Sequence, residues 1–431
     1  MFNFVATNYN FNSTISKQMK KPSKSHSLTQ GVSRSNYVAF LWHATFLALA
    51  KNFMDVDTII PAMMIDSGGT SMHVGLMTGI LLGGSKFAQL FFASFIHNAP
   101  YKKGYLLLGI NSRVFSLMAL AILFWFSGAI EGDHVIGIIF ILISIFSVSG
   151  AFANISYTDI LGKSVLPDSR KSYFSIRQVI SSIGMFISAF LAASVLSGPD
   201  YPLNYSALFG IAALALGIAT MGFWNLREVA ASQTRISSPG KFAAVIRQEM
   251  KQNKRFRYYL MLVNTQGVVL SLMPFLLLYA KQQYGSGNDV VGHFLLYKVT
   301  GGVIIGSLLF WFSRRVRYQN MLYLTSLLAL IIPVYVMLEP GASLFALSFL
   351  AAGIAFTLHN ISINGVLLEV SNNENRALYT GLSGAGNILP AVFPLLGGWI
   401  VQQYGFSLFF YLFMAITAAS LYFIYRLQCR I

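Results

Sequence analysis

Residues 154–173 read NISYTDILGKSVLPDSRKSY, and residues 360–379 read NISINGVLLEVSNNENRALY. Asn154-Ile155-Ser156 matches Asn360-Ile361-Ser362, Arg170 matches Arg376 and Tyr173 matches Tyr379, all at one offset of 206 residues (360 minus 154). Each copy starts inside an apolar run, leaves it through a charged break and ends at the next run. The repeat therefore relates pairs of helices. Other positions agree with it: Pro61 and Pro274 stand late in two long apolar runs, and Val74-Gly75 and Val291-Gly292 open the runs that follow. The chain reads as two related halves, an arrangement that places a polar site at their interface in membrane proteins built this way.

Working outward, the 431 residues are 55% hydrophobic and only 10% charged, whereas a soluble domain carries about 25% charged residues. A membrane-crossing helix needs about 20 mostly apolar residues. Runs of that kind lie at 37–64, 72–97, 104–128, 135–160, 173–196 and 204–225, and again at 257–281, 290–312, 320–338, 343–368, 379–402 and 406–426. The fold class expected is an all-α integral membrane protein with twelve transmembrane helices in two pseudo-symmetric six-helix bundles.

The net charge of +16 is distributed on alternate loops. Lys102 and Lys103, Lys163 with Arg170, the eight cations from Arg227 to Arg257, and Arg314, Arg315 and Arg317 all fall on one side, while Asp66, Glu131, Asp133, Asp200, Asp289 and Glu339 fall on the other. Retention of Lys and Arg in the cytoplasm then places both termini inside. It also argues against nucleic acid as a partner, since a basic stripe interleaved with aromatics is missing. The organisation expected is a disordered basic cytoplasmic tail over 1–36, an N-terminal bundle over 37–225, a cytoplasmic linker with an amphipathic helix over 226–256, and a C-terminal bundle over 257–431. The chain is expected to sit as a multi-pass monomer in a bacterial inner membrane, with the lipid bilayer as its surroundings.

In its run count, its cytoplasmic ends, its central loop and its half-repeat, the chain resembles the major facilitator superfamily over residues 37–426. The loop Ile96-His97-Asn98-Ala99-Pro100-Tyr101-Lys102-Lys103 keeps that family's basic pair but lacks its aspartate and glycines; Asp159 with Leu166-Pro167-Asp168-Ser169-Arg170 and Tyr173-Phe174 follows the family pattern better. The resemblance implies a secondary transporter working by alternating access, with a central cavity lined mainly by helices 1, 4, 7 and 10.

Charges deep in a bilayer are costly and mark functional candidates. Helix 1 holds Lys51, Asn52, Asp55 and Asp57. Lys51 and Asp55 are four apart and share a face, so Asp55 is read either as a proton carrier or as half of a fixed Lys51–Asp55 pair; Asp57 points elsewhere unless Pro61 unwinds the segment. The other candidates are Lys86 and Gln89 on helix 2, Asn264 and Gln266 on helix 7, Lys298 on helix 8, Asn360 on helix 10 and Asn387 on helix 11 for substrate, and His359 beside Asp55 and Asp57 for protons. Arg113 on helix 3 is assigned to structure. Lys51, Lys86, Arg113 and Lys298 outnumber Asp55 and Asp57 by two, and surplus buried positive charge favours an anionic substrate. At the cytoplasmic helix ends, Asp159 with Arg170 and Glu369 with Arg376 are read as gate pairs.

The expected function is proton-coupled transport of a small organic anion, either a metabolite or a carboxylate-type siderophore. Export of amphipathic drug-like compounds is the alternative, and a membrane sensor or enzyme comes behind both. The single Cys429 and seven scattered histidines form no metal-ligand spacing, so neither cofactor nor metal is expected.

Overall fold

The structure, a computed structural model, describes residues 28–129, 132–228, 251, 253–312, 316–370, 383, 384 and 386–427. Among them every regular element is helical. The first half comprises α1 (Gln30–Ala50), α2 (Ile59–Asp66), α3 (Ser71–Asn98), α4 (Lys103–Phe126), α5 (Gly132–Ser164), α6 (Pro167–Ser197) and α7 (Leu203–Trp224). The second comprises α8 (Lys254–Tyr284), α9 (Asn288–Phe312), α10 (Tyr318–Met337), α11 (Ala342–Val370), α12 (Leu389–Tyr404) and α13 (Phe406–Leu427). Nine of the described helices, α4 to α11 and α13, are long and apolar enough to cross a membrane. The other three expected crossings correspond to α1 with α2, to α3 and to the shorter α12. Phe310 and Trp311 are 80% and 82% exposed, which suits contact with lipid.

Each half closes on itself: α1 packs on α6 and α7 and α4 on α5 and α7, while α11 packs on α9 and α10 and α8 on α13. The halves meet chiefly through α3 on α12 and α6 on α9. Those two contacts exchange if helix 2 is equivalent to helix 8 and helix 5 to helix 11, as the sequence repeat requires. The repeated Val-Gly pairs explain themselves at these contacts. Gly75 lies against Pro394 and Gly398, where a Cβ on Gly398 would come 2.5 Å from the Ser71 carbonyl oxygen, and a Cβ on Gly292 would come 3.2 Å from Ala193 Cα. Small residues let helix backbones approach this closely.

Three expected boundaries need correction. The tail does not extend to residue 36, because α1 starts at Gln30 behind Thr29, whose hydroxyl accepts a hydrogen bond from the Val32 amide. The polar residues read as solvated tail are buried partners of loop backbone: Ser33 accepts from the Leu166 amide at 2.9 Å, and Asn36 donates to the carbonyls of Ser164 and Arg227 at 3.0 and 2.9 Å. The linker does not begin at 226 either. Glu228 folds back onto the first half, accepting from the Lys102 and Lys103 amides at 2.9 and 2.8 Å and pairing with Lys163 at 2.6 Å. Residues 1–27 and the amphipathic stretch at 229–250 lie outside the described residues. Finally, helix 1 is not one continuous element.

Candidate functional site

Helix 1 breaks where Pro61 makes it break. A proline in a helix has no amide to donate to the carbonyl four residues back, and its ring clashes with that carbonyl, here that of Asp57. After α1 the chain makes a tight 3-10 turn over Lys51–Met54 and becomes extended at Asp55 (φ −63°, ψ 123°) before α2 begins. The backbone donors freed by the break are taken by the side chain of Asp55. Its Oδ1 accepts from the amides of Asp57 and Thr58 at 3.1 and 2.9 Å and from the Thr58 hydroxyl at 2.8 Å.

Unwinding also turns Asp57 toward Asp55, and both carboxylates close on Lys298 of α9. Lys298 Nζ lies 2.9 and 2.7 Å from the two Asp55 oxygens and 2.5 Å from Asp57 Oδ2. Asp55 and Asp57 are 5% and 3% exposed. Lys298 is held in place by the approach of its backbone to Gly353 on α11, with the Phe356 ring centroid 5.8 Å from Nζ. The expected Lys51–Asp55 pair is therefore not formed. The i, i+4 geometry that predicts it needs a continuous helix, and the helix ends at Ala50. Lys51 is exposed at the turn, at the start of the same break that carries Asp55 and Asp57.

Lys51 and Lys298 balance Asp55 and Asp57 in charge. Lys86 stands apart from them, half-buried on α3, with no hydrogen bond or ion pair to a described residue. Gln89, on the same face of α3, lies near Gly384, 3.9 Å from where a Cβ would stand there. Arg113 takes the structural place assigned to it: its Nε donates to the Phe146 carbonyl at 3.1 Å and its guanidinium lies 4.6 Å from the Phe146 ring centroid.

Three of the amides expected at substrate are committed to the protein itself. Asn52 donates to the Met185 carbonyl and to Ser188 Oγ at 2.5 and 2.9 Å, fastening the start of the break to α6. Asn264 secures the irregular entry to α12, donating to the Gly386 carbonyl at 2.7 Å and accepting from the Ile388 and Leu389 amides at 3.1 and 2.9 Å. Gln266 donates to the Leu322 carbonyl and Ser326 Oγ at 2.9 and 2.8 Å, and its oxygen meets His359 Nδ1 at 3.1 Å. His359 is thus tied into a buried polar network on the second half. Asn360 is exposed and its side chain donates to the Phe356 carbonyl of its own helix at 3.0 Å, and Asn387 Oδ1 is buried without a partner among the described residues.

The gate pairs differ from expectation as well. Asp159 is held by Lys102 at 2.9 Å and Lys163 at 2.8 Å, not by Arg170. Arg170 instead donates to the carbonyls of Val165 and Gly162, since a cation near a helix C-terminus complements its unsatisfied carbonyls. Glu369 pairs with Arg255 at 3.1 Å, and Arg376 lies outside the described residues.

On the face opposite the basic loops, the ends of the halves are bonded together. Asp66 of α2 accepts from Lys281 of α8 at 2.5 Å and from the Tyr205 hydroxyl of α7 at 2.6 Å, and Asn288 of α9 accepts from Lys281 and Tyr205 at 3.3 Å each. Among the described residues, every ion pair between the halves is in this cluster or at Lys298. The sequence reading missed this cluster. Arg177 lies well inside α6, ten residues beyond Pro167, which stands in the first turn of that helix.

The Major Facilitator Superfamily family model matches residues 41–387. Among solved structures, the chain is similar to a D-xylose-proton symporter (TM-score 0.66, 12% identity, covering 93% of this chain and 98% of that one). It is also similar to a peptide transporter POT in complex with sulfate (0.63, 13%, 92% and 96%) and to the nucleoside transporter NupG (0.60, 17%, 91% and 98%). No curated protein matches the sequence.

Proposed function

Because the chain belongs to the Major Facilitator Superfamily, a family of transporters and not of enzymes, we propose that it is a secondary transporter that moves a small organic anion together with a proton. The observation that carries this reading is the seating of two buried carboxylates from one half on one ammonium from the other. An unpaired charge is expensive in a low-dielectric interior. Asp55 and Asp57 are balanced by Lys298 together with Lys51 at the same break, so protonating Asp57 alone leaves one cation in excess. Placing an anion on Lys298 alone crowds a third negative charge into the cluster. The two events together keep the balance, since the anion replaces the charge that the proton removes. Coupling follows from that arithmetic, and release of Lys298 from the break in helix 1 loosens the tie between the halves.

Lys86 supports the anionic character of the substrate, as a second cation with no carboxylate partner among the described residues. The positive loops orient the protein with both termini in the cytoplasm, and the described conformation then has its outer face tied by Asp66 and Lys281. We place it in a bacterial inner membrane as a monomer. The test is proteoliposomes with an entrapped pH dye, presented with a panel of mono-, di- and tricarboxylates. Anion-dependent proton entry is expected in the wild type, lost in Asp57→Asn and reduced at least tenfold in Lys86→Ala. If no anion in the panel drives proton movement and amphipathic dyes are extruded instead, the export alternative replaces this reading.

A further inference from the structure

The deep cations left over from the balance at Lys298 are Lys86 and Arg113, and the fold brings them to one place. Arg113 stands near the middle of α4, and its guanidinium lies in a notch of α5 at Gly150. A Cβ on Gly150 would come 2.5 Å from Arg113 Nη2, 3.2 Å from its Cζ and 3.4 Å from Ser85 Cβ on α3. Arg113 and Ser85 therefore border the same small space, kept open by the missing side chain of Gly150. Lys86 is the next residue of α3, its Cα about 3.8 Å from that of Ser85. Both cations are half-buried in the middle of their helices.

One nitrogen of Arg113 serves the protein itself. Its Nε donates to the Phe146 carbonyl at 3.1 Å, one turn before Gly150, with the guanidinium 4.6 Å from the Phe146 ring centroid. That bond fixes the plane of the fork and leaves both Nη groups without a hydrogen-bond partner among the described residues. Ser85 is uncommitted as well. The hydroxyls of Thr78 and Ser116 donate to the carbonyls four residues back at 2.8 and 3.0 Å, the usual recourse of a hydroxyl inside a helix, whereas that of Ser85 bonds no described residue. Two cations without a carboxylate partner among the described residues thus flank a free hydroxyl. In a low-dielectric interior their charges call for an anion.

We propose that Arg113, Ser85 and Lys86 form a binding site on the first half for a doubly charged oxyanion. The Nη edge of Arg113 is a planar fork that meets two oxygens at once, Lys86 supplies a point charge on a flexible stem, and the Ser85 hydroxyl donates to a further oxygen. The proposal rests on the anionic reading above and narrows it. A single negative charge leaves one cation unanswered, so the substrate carries two close together, as a dicarboxylate or a phosphate group does. Recognition is then placed on α3 and α4, apart from the charge exchange at Lys298 with Asp55 and Asp57.

The experiment follows the melting temperature of the full-length protein in detergent as succinate, butyrate or inorganic phosphate replaces chloride at constant ionic strength. At least one of the two multivalent anions is expected to raise it by several degrees, with succinate alone marking a dicarboxylate site and phosphate alone a phosphate site. Butyrate, with one charge, is expected to need about tenfold more for the same gain. Gly150→Ala puts a methyl group where Nη2 stands and removes no polar atom. It is expected to need about tenfold more anion, as are Arg113→Gln and Lys86→Ala. Arg113→Lys keeps the charge but not the fork and is expected to fall between Arg113→Gln and the wild type, which covers the case of a poorly folding Arg113→Gln. Arg177→Gln, which removes a cation of α6 outside this site, is expected to respond as the wild type does. No response to either multivalent anion in the wild type, an equal response to butyrate, an unaltered response in Gly150→Ala and Arg113→Gln, or an equal loss in Arg177→Gln each overturns the site. The two proposals fail separately. An anion shift weakened by Gly150→Ala, without anion-driven proton entry in liposomes, leaves the site standing and removes coupling; anion-driven proton entry with an unaltered shift in Gly150→Ala and Arg113→Gln does the reverse.

Discussion

The two halves each carry a proline late in their first crossing, and they use it differently. Before Pro61 the chain leaves the helix altogether, with Asp55 extended and its carboxylate taking the freed amides. Before Pro274 the chain only tightens into a 3-10 turn over Val268–Ser271 and continues as α8. The difference lies in the side chains. Val268, Val269 and Leu272 are buried and apolar, so no side chain there offers an acceptor to replace a lost backbone bond except Ser271, which donates to the Val268 carbonyl at 2.7 Å. A proline permits a break; an acid beside it turns the break into a site.

The largest expected effect comes from removing the cation on which the first break converges. Lys298→Ala leaves Asp55 and Asp57 buried side by side, and breaking a buried pair costs about 3–5 kcal/mol. Anion-driven proton entry should vanish and the melting temperature should drop markedly, with part of the stability returning in the Lys298→Ala, Asp57→Asn double variant. A double variant no more stable than the single one would show that the cluster is not held by charge.

An intermediate effect is expected from the prolines themselves. Pro61→Ala restores an amide for the Asp57 carbonyl and lets the helix propagate, carrying Asp57 off Lys298; transport should fall about tenfold, or about 1.4 kcal/mol. Pro274→Ala, in the continuous helix, should change transport less than twofold. Equal losses in paired flux assays would erase the contrast between the halves.

The smallest effect belongs to the outer cluster. Tyr205→Phe removes one hydrogen bond to Asp66 while Lys281 keeps its own, so a stability change of about 1 kcal/mol is expected, measured as a small decrease in melting temperature. A large decrease would make Tyr205, and not Lys281, the main tie on that face.

Much of the fold was legible because it is written in local pattern. Apolar run length gives the crossings, and the Val-Gly and Asn-Ile-Ser repeats give the two halves, since Gly75 and Gly292 recur where backbones must approach. The site was legible as an inventory of residues and less so as a set of partners. Asp55, Asp57 and Lys298 were identified, but periodicity joined Asp55 to Lys51, its neighbour on an ideal helix. Asn264 and Gln266 looked like ligands because an amide in an apolar run has no local partner; their partners are carbonyls and hydroxyls on other helices.

The sequence by itself determined that this chain is a helical membrane protein of two related halves with acids and cations in its interior, because hydrophobic length and repeat spacing are properties of the chain read in order. Only the tertiary structure decided which charges answer each other. Asp55 and Lys298 are 243 positions apart, and whether a charge is matched or left over depends on distances between helices that no local period encodes. Among the described residues Lys86 has no carboxylate partner for that reason, and the anionic reading draws on it.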